Sequence, residues 1–442
     1  MKTANAFPLN ASASIERLES AAVIFIILTM SFLPNLAKFG APAADESGSI
    51  VGQLVYGSFY LYASICLIAL RGRVVYLLAR SSPLVLFITL LLFSTSWSTS
   101  PAPTFRNAIE MLGTTIIGFY IVSRFTLAKF LDLLVITFAI IAIACATLIV
   151  FAPTYGRSDY GASGWCGFYG EKNHFGTVMG LATVTALITA IASRGRKRFF
   201  SVIIAAFCAV LIVGSRSATA SIVTLCTALT ILIVMTCKSK KYGVFSIVGF
   251  SAIALMIGTF IAASGYNNDT FYSLVGRDST LSGRADFWPG LVRAIADHPL
   301  FGYGYSAFFQ PNGPADAYIG NATGWWHPSH AHNSFYQMML DVGLTGSGIF
   351  AIVLIGGLFA GVRYFVRIPT AIASWPLAVI AFLLMGSFTE TYFGMRNTTE
   401  SVLFTAAVLY PMRRAFETVP ASGDARPRNK LVPMRERIVR AP

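Results

Sequence analysis

Long apolar runs constrain this chain more than any other feature of its sequence. Backbone polar groups in lipid must be hydrogen-bonded internally, so runs of this length are expected to form helices. Only 12% of the residues are charged and 55% are hydrophobic, whereas soluble domains carry about 25% charged residues. We therefore predict an all-α polytopic integral membrane protein with about twelve transmembrane helices, at 18–36, 51–70, 82–98, 104–123, 129–151, 174–193, 199–213, 218–236, 243–263, 344–361, 373–389 and 399–412.

Basic residues are unevenly distributed between the two sides of these predicted spans. If the N-terminus is cytoplasmic, 24 of the 33 Lys and Arg residues fall on the inner side and nine on the outer side. Cytoplasmic segments of membrane proteins carry the excess of positive charge. Both termini are therefore predicted to be cytoplasmic. The net charge of +14 is explained by topology, and no nucleic-acid partner is expected.

The chain is predicted to form one transmembrane domain, 1–412, followed by a basic tail. The tail, 413–442, is weakly apolar and contains Pro, a composition that favours disorder and contact with the membrane surface. The segment 264–333 is the longest stretch between spans, and the predicted topology puts it outside. A cleaved signal peptide is the weaker interpretation of the N-terminus, because residues 1–20 balance two basic against two acidic residues.

Three of the five histidines lie within the stretch "HPSHAH", as His327, His330 and His332. The residues that follow predict a short helix, 330–342, closed by Gly343. Close to that helix start, His332 is expected to be a neutral imidazole, which suits a general base. A metal site and histidines without a role are the alternatives. The spacing matches no familiar zinc pattern and carboxylates are sparse nearby, so no metal is expected.

Two arginines on the predicted outer side also require an explanation. "VGSRSA" (213–218) separates two apolar runs, and Arg216 therefore occupies the outer turn of a predicted hairpin. An Arg at membrane depth is costly, so it is either functional or extends toward lipid headgroups. Arg284 opens a predicted amphipathic helix that stops before Pro299, with Ser282 or Asp278 as its N-cap. An Arg at a helix start suits the binding of an anion.

Several of these segments, in this order, resemble the O-antigen ligase and polysaccharide polymerase superfamily (Wzy and WaaL types), and ExoQ-like exopolysaccharide polymerases in particular. The resemblance covers about 165–360. Asp341 departs from the pattern, because Glu is expected before the V-G-L-x-G turn. The segments are "GFYGEKNHFG" (167–176), "GSRSA" (214–218), "LSGRADFW" (281–288), "HPLFGYGYSAFF" (298–309) and "HAHNSFYQMMLDVGLTG" (330–346).

This resemblance implies a glycosyl transfer without cofactors at the periplasmic face of the bacterial inner membrane. The donor would be an oligosaccharide on undecaprenyl pyrophosphate, and the acceptor a sugar hydroxyl of a second glycan. Arg216 and Arg284 would bind the pyrophosphate, and His332 would deprotonate the acceptor hydroxyl. Further substrate contacts are expected at Lys172, His174 and Arg277. Other partners implied are the lipid bilayer, a chain-length co-polymerase and an export complex.

Three alternatives remain open at the level of the sequence. Within the same enzyme class, the chain is either a polymerase or a ligase that transfers O-antigen to the lipid A core. A membrane transporter has a similar number of helices, although transporters usually show internal repeats and midplane charges. A structural partner of an export complex would not require Arg216, Arg284 and His332.

Overall fold

The structure, a computed structural model, describes residues 13–34, 50–158, 164–236, 284–320 and 328–413. Regular structure within these ranges is helical, apart from one isolated bridge between Arg157 and Trp165. The α-helices are α1 (Ala13–Phe32), α2 (Ile50–Ala69), α3 (Arg71–Arg80), α4 (Ser82–Phe93), α5 (Pro101–Arg124), α6 (Leu127–Phe151), α7 (Pro153–Gly156), α8 (Lys172–Ala192), α9 (Gly195–Ser215), α10 (Ala218–Thr236), α11 (Arg284–Asp297), α12 (Ala315–Ile319), α13 (Ser334–Arg367), α14 (Ala371–Gly386) and α15 (Thr399–Leu409). The all-α prediction is confirmed for this part of the chain.

Six helices of the described ranges are long and apolar enough to cross a membrane: α2, α6, α8, α9, α10 and α13. The count becomes seven if α3 and α4, which are bent by 86° relative to each other, form one broken span. The chain is therefore a multi-pass membrane protein, but the predicted count of twelve spans is not confirmed. The predicted span 243–263 lies outside the described residues, as do 264–283 of the predicted outer loop and the tail beyond Arg413.

The predicted span 82–98 extends beyond the observed helix. The α-helix ends at Phe93 and continues only as a 3₁₀ turn, Ser94–Ser96. Pro83 lies in its first turn, where the missing N–H of proline removes no helical hydrogen bond. The twelve residues of α4 extend only about 18 Å at 1.5 Å per residue, less than the apolar thickness of a bilayer.

Helix α15 lies inside the helix bundle. All eleven of its residues are buried, and it packs against α5, α13 and α14. Gly118 of α5 permits this packing, since a Cβ at that position would come within 2.5 Å of Thr405 Cγ2. The apolar run 399–412 was predicted from hydropathy, which does not distinguish a helix that faces lipid from one enclosed by protein. The enclosed position puts Glu400 in the first helical turn, in the protein interior.

The kink in α13 is stabilised by a neighbouring segment. Gly343 leaves the helical conformation (φ 61°, ψ −162°), which confirms the predicted break at this residue. The segment 299–304 runs alongside and pairs with the interrupted backbone, since Tyr303 N–H donates to Leu340 O (2.7 Å) and Leu344 N–H donates to Pro299 O (2.8 Å). The helix begins at Ser334, later than the predicted residue 330, because Asn333 provides its N-cap.

Helix α11 packs on the same region through a second, smaller apolar core. Phe287, Leu291 and Ala294 are fully buried there, together with Phe308 and Ala331. Trp288 Nε1–H donates to Ala331 O (3.0 Å) and so connects this core to the "HAH" segment. The helix ends at Asp297, in agreement with the predicted stop before Pro299. The N-caps proposed for it, Ser282 and Asp278, lie outside the described residues.

Helix α9 offers a direct test of orientation, since exposed arginines lie beyond both of its ends. Arg194 precedes and Arg216 follows a helix of 21 residues, which is about 30 Å long. In a cysteine-free background, we expect the thiol introduced by Arg216→Cys to react with an impermeant thiol reagent added to intact cells. The thiol introduced by Arg194→Cys should react only after the membrane is opened with detergent. The reverse labelling pattern would contradict the predicted cytoplasmic termini.

Candidate functional site

The backbone at His332 adopts a left-handed conformation, which is uncommon for a residue with a side chain. Its φ is +49°, and the side chain is almost fully buried. Such a conformation persists only where the surrounding structure imposes it, and it is enriched at functional sites. The next residue, Asn333, is the N-cap of α13, and its Oδ1 accepts hydrogen bonds from the Phe335 and Tyr336 N–H groups. The helix start thus fixes where His332 lies.

The side chain of His332 contacts a buried carboxylate. His332 Nδ1 lies 3.2 Å from Glu390 Oε2, and Glu390 is 6% exposed. With its proton on Nδ1, the imidazole donates to the carboxylate, and Nε2 keeps the lone pair that a base requires. A carboxylate in this position also stabilises the imidazolium that forms when the base takes a proton. The pair is therefore suited to general base catalysis.

The loop that carries Glu390 is fixed to the start of α13. Ser334 N–H donates to Ser387 O (2.9 Å), and Asn333 Nδ2–H donates to Phe388 O (3.1 Å). Ser334 Oγ accepts the Tyr392 N–H (2.9 Å) and is fully buried. Glu390 is thereby held next to His332 although 58 residues separate them in sequence.

His330 lies directly against His332. The two ring centroids are 4.1 Å apart, and His330 Nδ1 accepts the backbone N–H of His332 at 3.3 Å. The third residue of the predicted cluster, His327, lies outside the described residues. Within those residues no group of three or more His, Cys, Asp or Glu side chains is arranged to hold a metal ion.

His330 and Glu390 line a cleft whose empty space, together with the open solvent at its mouth, is about 450 Å³. A second histidine–carboxylate pair lines the same cleft, since His174 Nε2 lies 3.1 Å from Glu400 Oε1. Two of the three predicted positions for additional contacts, Lys172 and His174, lie in the first turn of α8. His174 lines the cleft, whereas Lys172 does not. The full lining comprises Glu171, His174, His330, Glu390, Thr391, Tyr392, Met395, Thr398 and Glu400.

Arg216 occupies a two-residue turn between α9 and α10, as predicted, and its backbone is left-handed (φ 53°, ψ 27°). The turn is attached to the site from two directions. Ser217 Oγ–H donates to Asn173 Oδ1 (2.9 Å), and Thr219 Oγ1 lies 3.0 Å from Thr389 Oγ1. Because Thr389 precedes Glu390, the Arg216 turn and the loop of the His332–Glu390 pair are neighbours.

Lys172 lies beside the same turn. Gly164 lies between Lys172 and Ser215, the last residue of α9. A Cβ added at Gly164 would come within 2.2 Å of Ser215 O and 3.3 Å of Lys172 Cδ. Arg284 is the first residue of α11, but its side chain lies outside what the structure describes, and so does Arg277 altogether. The structure therefore brings together Arg216, Lys172, His174 and His332 at one end of the helix bundle.

Asp341, which stands where Glu was expected, has a structural role. Its Oδ1 accepts hydrogen bonds from Ser306 N–H (3.0 Å) and from Gln337 Nε2–H (3.1 Å). The other end of that amide, Gln337 Oε1, accepts the Ala331 N–H (2.9 Å). The carboxylate thus supports the residue preceding His332.

A second polar cluster holds the loop 394–398, which contributes Met395 and Thr398 to the cleft. Arg396 Nε–H donates to Glu110 Oε2 at 2.7 Å, and Asn397 Nδ2–H donates to the same oxygen at 3.2 Å. Burial raises the pKa of Tyr305 above its ordinary value, so its hydroxyl stays protonated and donates to Gly394 O (2.6 Å). The loop is therefore anchored at both ends.

Comparison with known proteins agrees with the resemblance noted in the sequence. The family model of the O-antigen ligases matches residues 200–351. The chain is also 26% identical over 289 residues to the exopolysaccharide production protein ExoQ of Rhizobium meliloti (strain 1021), a match that covers 60% of this chain and 62% of that protein. The predicted resemblance is thus confirmed.

The O-antigen ligase model covers only part of the candidate site. Arg216, Arg284 and His332 lie within its limits of 200–351, whereas Glu390 and Glu400 lie beyond them. Sequence reasoning missed both carboxylates. One signal was available, because the predicted outer loop between the runs 373–389 and 399–412 contains Glu390, on the same side as His332. A carboxylate in so short a loop between apolar runs is a candidate partner for a nearby histidine.

Proposed function

We propose that this protein is a glycosyltransferase that acts at the periplasmic face of the bacterial inner membrane. It would polymerise oligosaccharide repeat units carried on undecaprenyl pyrophosphate into an exopolysaccharide or O-antigen. The observation that carries this proposal is the buried His332–Glu390 pair beside the cleft that Glu390 lines. A base held by a carboxylate is what the deprotonation of a sugar hydroxyl requires.

The reaction follows from the chemistry of the donor. The hydroxyl oxygen of the acceptor attacks the anomeric carbon of the donor sugar, and the bond from that carbon to the pyrophosphate oxygen breaks. His332 Nε2 takes the hydroxyl proton, and the pyrophosphate leaves with the bonding electron pair. Arg216 and Arg284 would bind the leaving group, since guanidinium groups bind phosphate oxygens bidentately. The proton then passes from His332 to solvent or to the departing phosphate.

The two comparisons with known proteins favour different versions of this reaction. The likeness to an exopolysaccharide production protein favours a polymerase, and that likeness covers more of the chain. The O-antigen ligase model, matched over 200–351, supports the alternative in which the glycan is transferred to the lipid A core. A structural partner of an export complex would have no need of a buried histidine–carboxylate pair. Proton-coupled transporters use such pairs as proton relays, so the glycan analysis below separates a transporter from a transferase.

Glycan analysis in a deletion strain tests the proposed function. We expect single repeat units to accumulate on the lipid carrier when the gene is deleted, because the units are made but not joined. Wild-type protein should restore the polymer, whereas the His332→Ala protein, expressed at the same level, should not. Long lipid-linked chains with uncapped core would indicate a ligase instead. Unchanged lipid-linked and secreted glycan would contradict both transferase versions.

A further inference from the structure

The cleft beside the His332–Glu390 pair has a distinctive charge. Three carboxylate side chains line it, those of Glu171, Glu390 and Glu400, and none of its described lining residues is Lys or Arg. Carboxylates at close range repel phosphate oxygens and offer them no hydrogen-bond donor. Sugar hydroxyls, in contrast, donate well to carboxylates. This lining therefore suits an uncharged polyhydroxyl ligand better than a pyrophosphate.

The second histidine–carboxylate pair reaches from the protein interior to the opening of the cleft. Glu400 is 4% exposed and lies in the first turn of α15, where the N-terminus of a helix stabilises a negative charge. The side chain of its partner, His174, is 39% exposed. One group of the pair is thus fixed in the bundle, and the other is accessible to a ligand.

One buried oxygen of the lining has unused hydrogen-bonding capacity within the described part of the chain. Thr391 Oγ1 is buried without a hydrogen-bond partner. Glu400 Oε1, in contrast, is engaged by His174 Nε2 at 3.1 Å. A buried polar atom without a partner is costly, and a ligand hydroxyl would satisfy it. This observation is independent of the charge of the lining.

We propose that the cleft lined by Glu171, His174, Thr391 and Glu400 is the acceptor subsite, which binds sugar hydroxyls of the glycan to be extended. This inference rests on the proposed function and specifies which substrate the cleft binds. Glu390 belongs both to the cleft lining and to the pair with His332, so an acceptor bound here has its hydroxyls beside the base. The donor pyrophosphate binds elsewhere, on the side of Arg216 and Lys172.

Substitution of the carboxylates that do not contact His332 tests the subsite. In Glu400→Gln, we expect the KM for the released repeat oligosaccharide as acceptor to rise about tenfold, since a hydrogen bond to a charged group is lost. The affinity for undecaprenyl pyrophosphate should stay within about twofold of wild type, because the substitution removes no hydrogen bond to the pyrophosphate. Glu171→Gln should show the same split to a smaller degree. Because Glu171 is exposed at the start of α8, this variant also tests the idea if Glu400→Gln fails to fold.

Asp132→Asn is the matched control. It removes a carboxylate from an exposed ion pair with Lys197, at the opposite end of α9 from Arg216. The acceptor KM and the affinity for undecaprenyl pyrophosphate should therefore be unchanged. Direct binding of the repeat oligosaccharide, measured by titration calorimetry, separates this inference from the proposed function. Binding that weakens in Glu400→Gln supports the subsite even if the wild-type protein shows no transfer. Weaker undecaprenyl pyrophosphate binding with unchanged oligosaccharide binding would overturn it.

Discussion

His332→Ala is expected to lower kcat by about 10²–10⁴-fold, the contribution of a positioned general base. Binding of undecaprenyl pyrophosphate should remain close to that of wild type, because the arginines that would contact it are unchanged. Initial rates at saturating donor, with carrier affinity measured in parallel, check this split. Glu390→Gln should give an intermediate loss. The amide oxygen of Gln still accepts a hydrogen bond from His332 Nδ1–H, but the negative charge that stabilises the imidazolium is removed.

Two other histidines provide the controls. His298 is exposed beyond the end of α11 and packs on Tyr303 with ring centroids 4.4 Å apart, so His298→Asn should keep wild-type turnover. His330→Ala should keep most of the turnover at saturating acceptor, although its ring lies against His332 and lines the cleft. The opposite result, an inactive His330→Ala and a normal His332→Ala, would move the base by two residues. It would also mean that His332 Nδ1 and Glu390 serve only to hold His330.

Arg216→Lys is expected to lower kcat/KM for the lipid-linked donor by about 10²-fold, the usual cost of removing one donor to a developing anion. A lysine retains the charge but cannot form the bidentate contact of a guanidinium. Backbone strain does not complicate the comparison, because both residues pay the same cost at a φ of +53°. The loss should appear both in kcat and in carrier binding, since charge on the leaving group grows in the transition state. Arg284→Lys should behave in the same way.

Arg293→Lys is the control for the arginine substitutions. Arg293 is exposed on α11, where its Nη2–H donates to Tyr318 O (3.3 Å). The exchange should leave kcat and the affinity for the carrier unchanged. Full activity of Arg216→Lys would exclude a bidentate contact and leave Arg216 as an interfacial residue of the α9–α10 turn. A comparison of His332→Ala with Arg216→Lys also separates proton transfer from carrier binding, because only the arginine variant should weaken carrier binding.

The sequence by itself determined the class of the protein and several local features of the site. Apolar runs with few charges must be helical in lipid, so α6, α8, α9 and α10 were predictable. The break at Gly343 and the turn at Arg216 followed from local signals, namely a glycine after an apolar segment and a charged residue between two apolar runs. These features depend on neighbouring residues and therefore appear in a single sequence.

Only the tertiary structure decided the partners of the histidines and the depth of the short helices. Glu390 and Glu400 meet His332 and His174 because α14 and α15 pack inside the bundle and bring their connecting loop to the start of α13. Such contacts depend on how helices pack, and a single sequence carries no record of packing between distant segments. For the same reason hydropathy did not show that α15 is enclosed by other helices, since an apolar residue is buried equally well against lipid and against another helix.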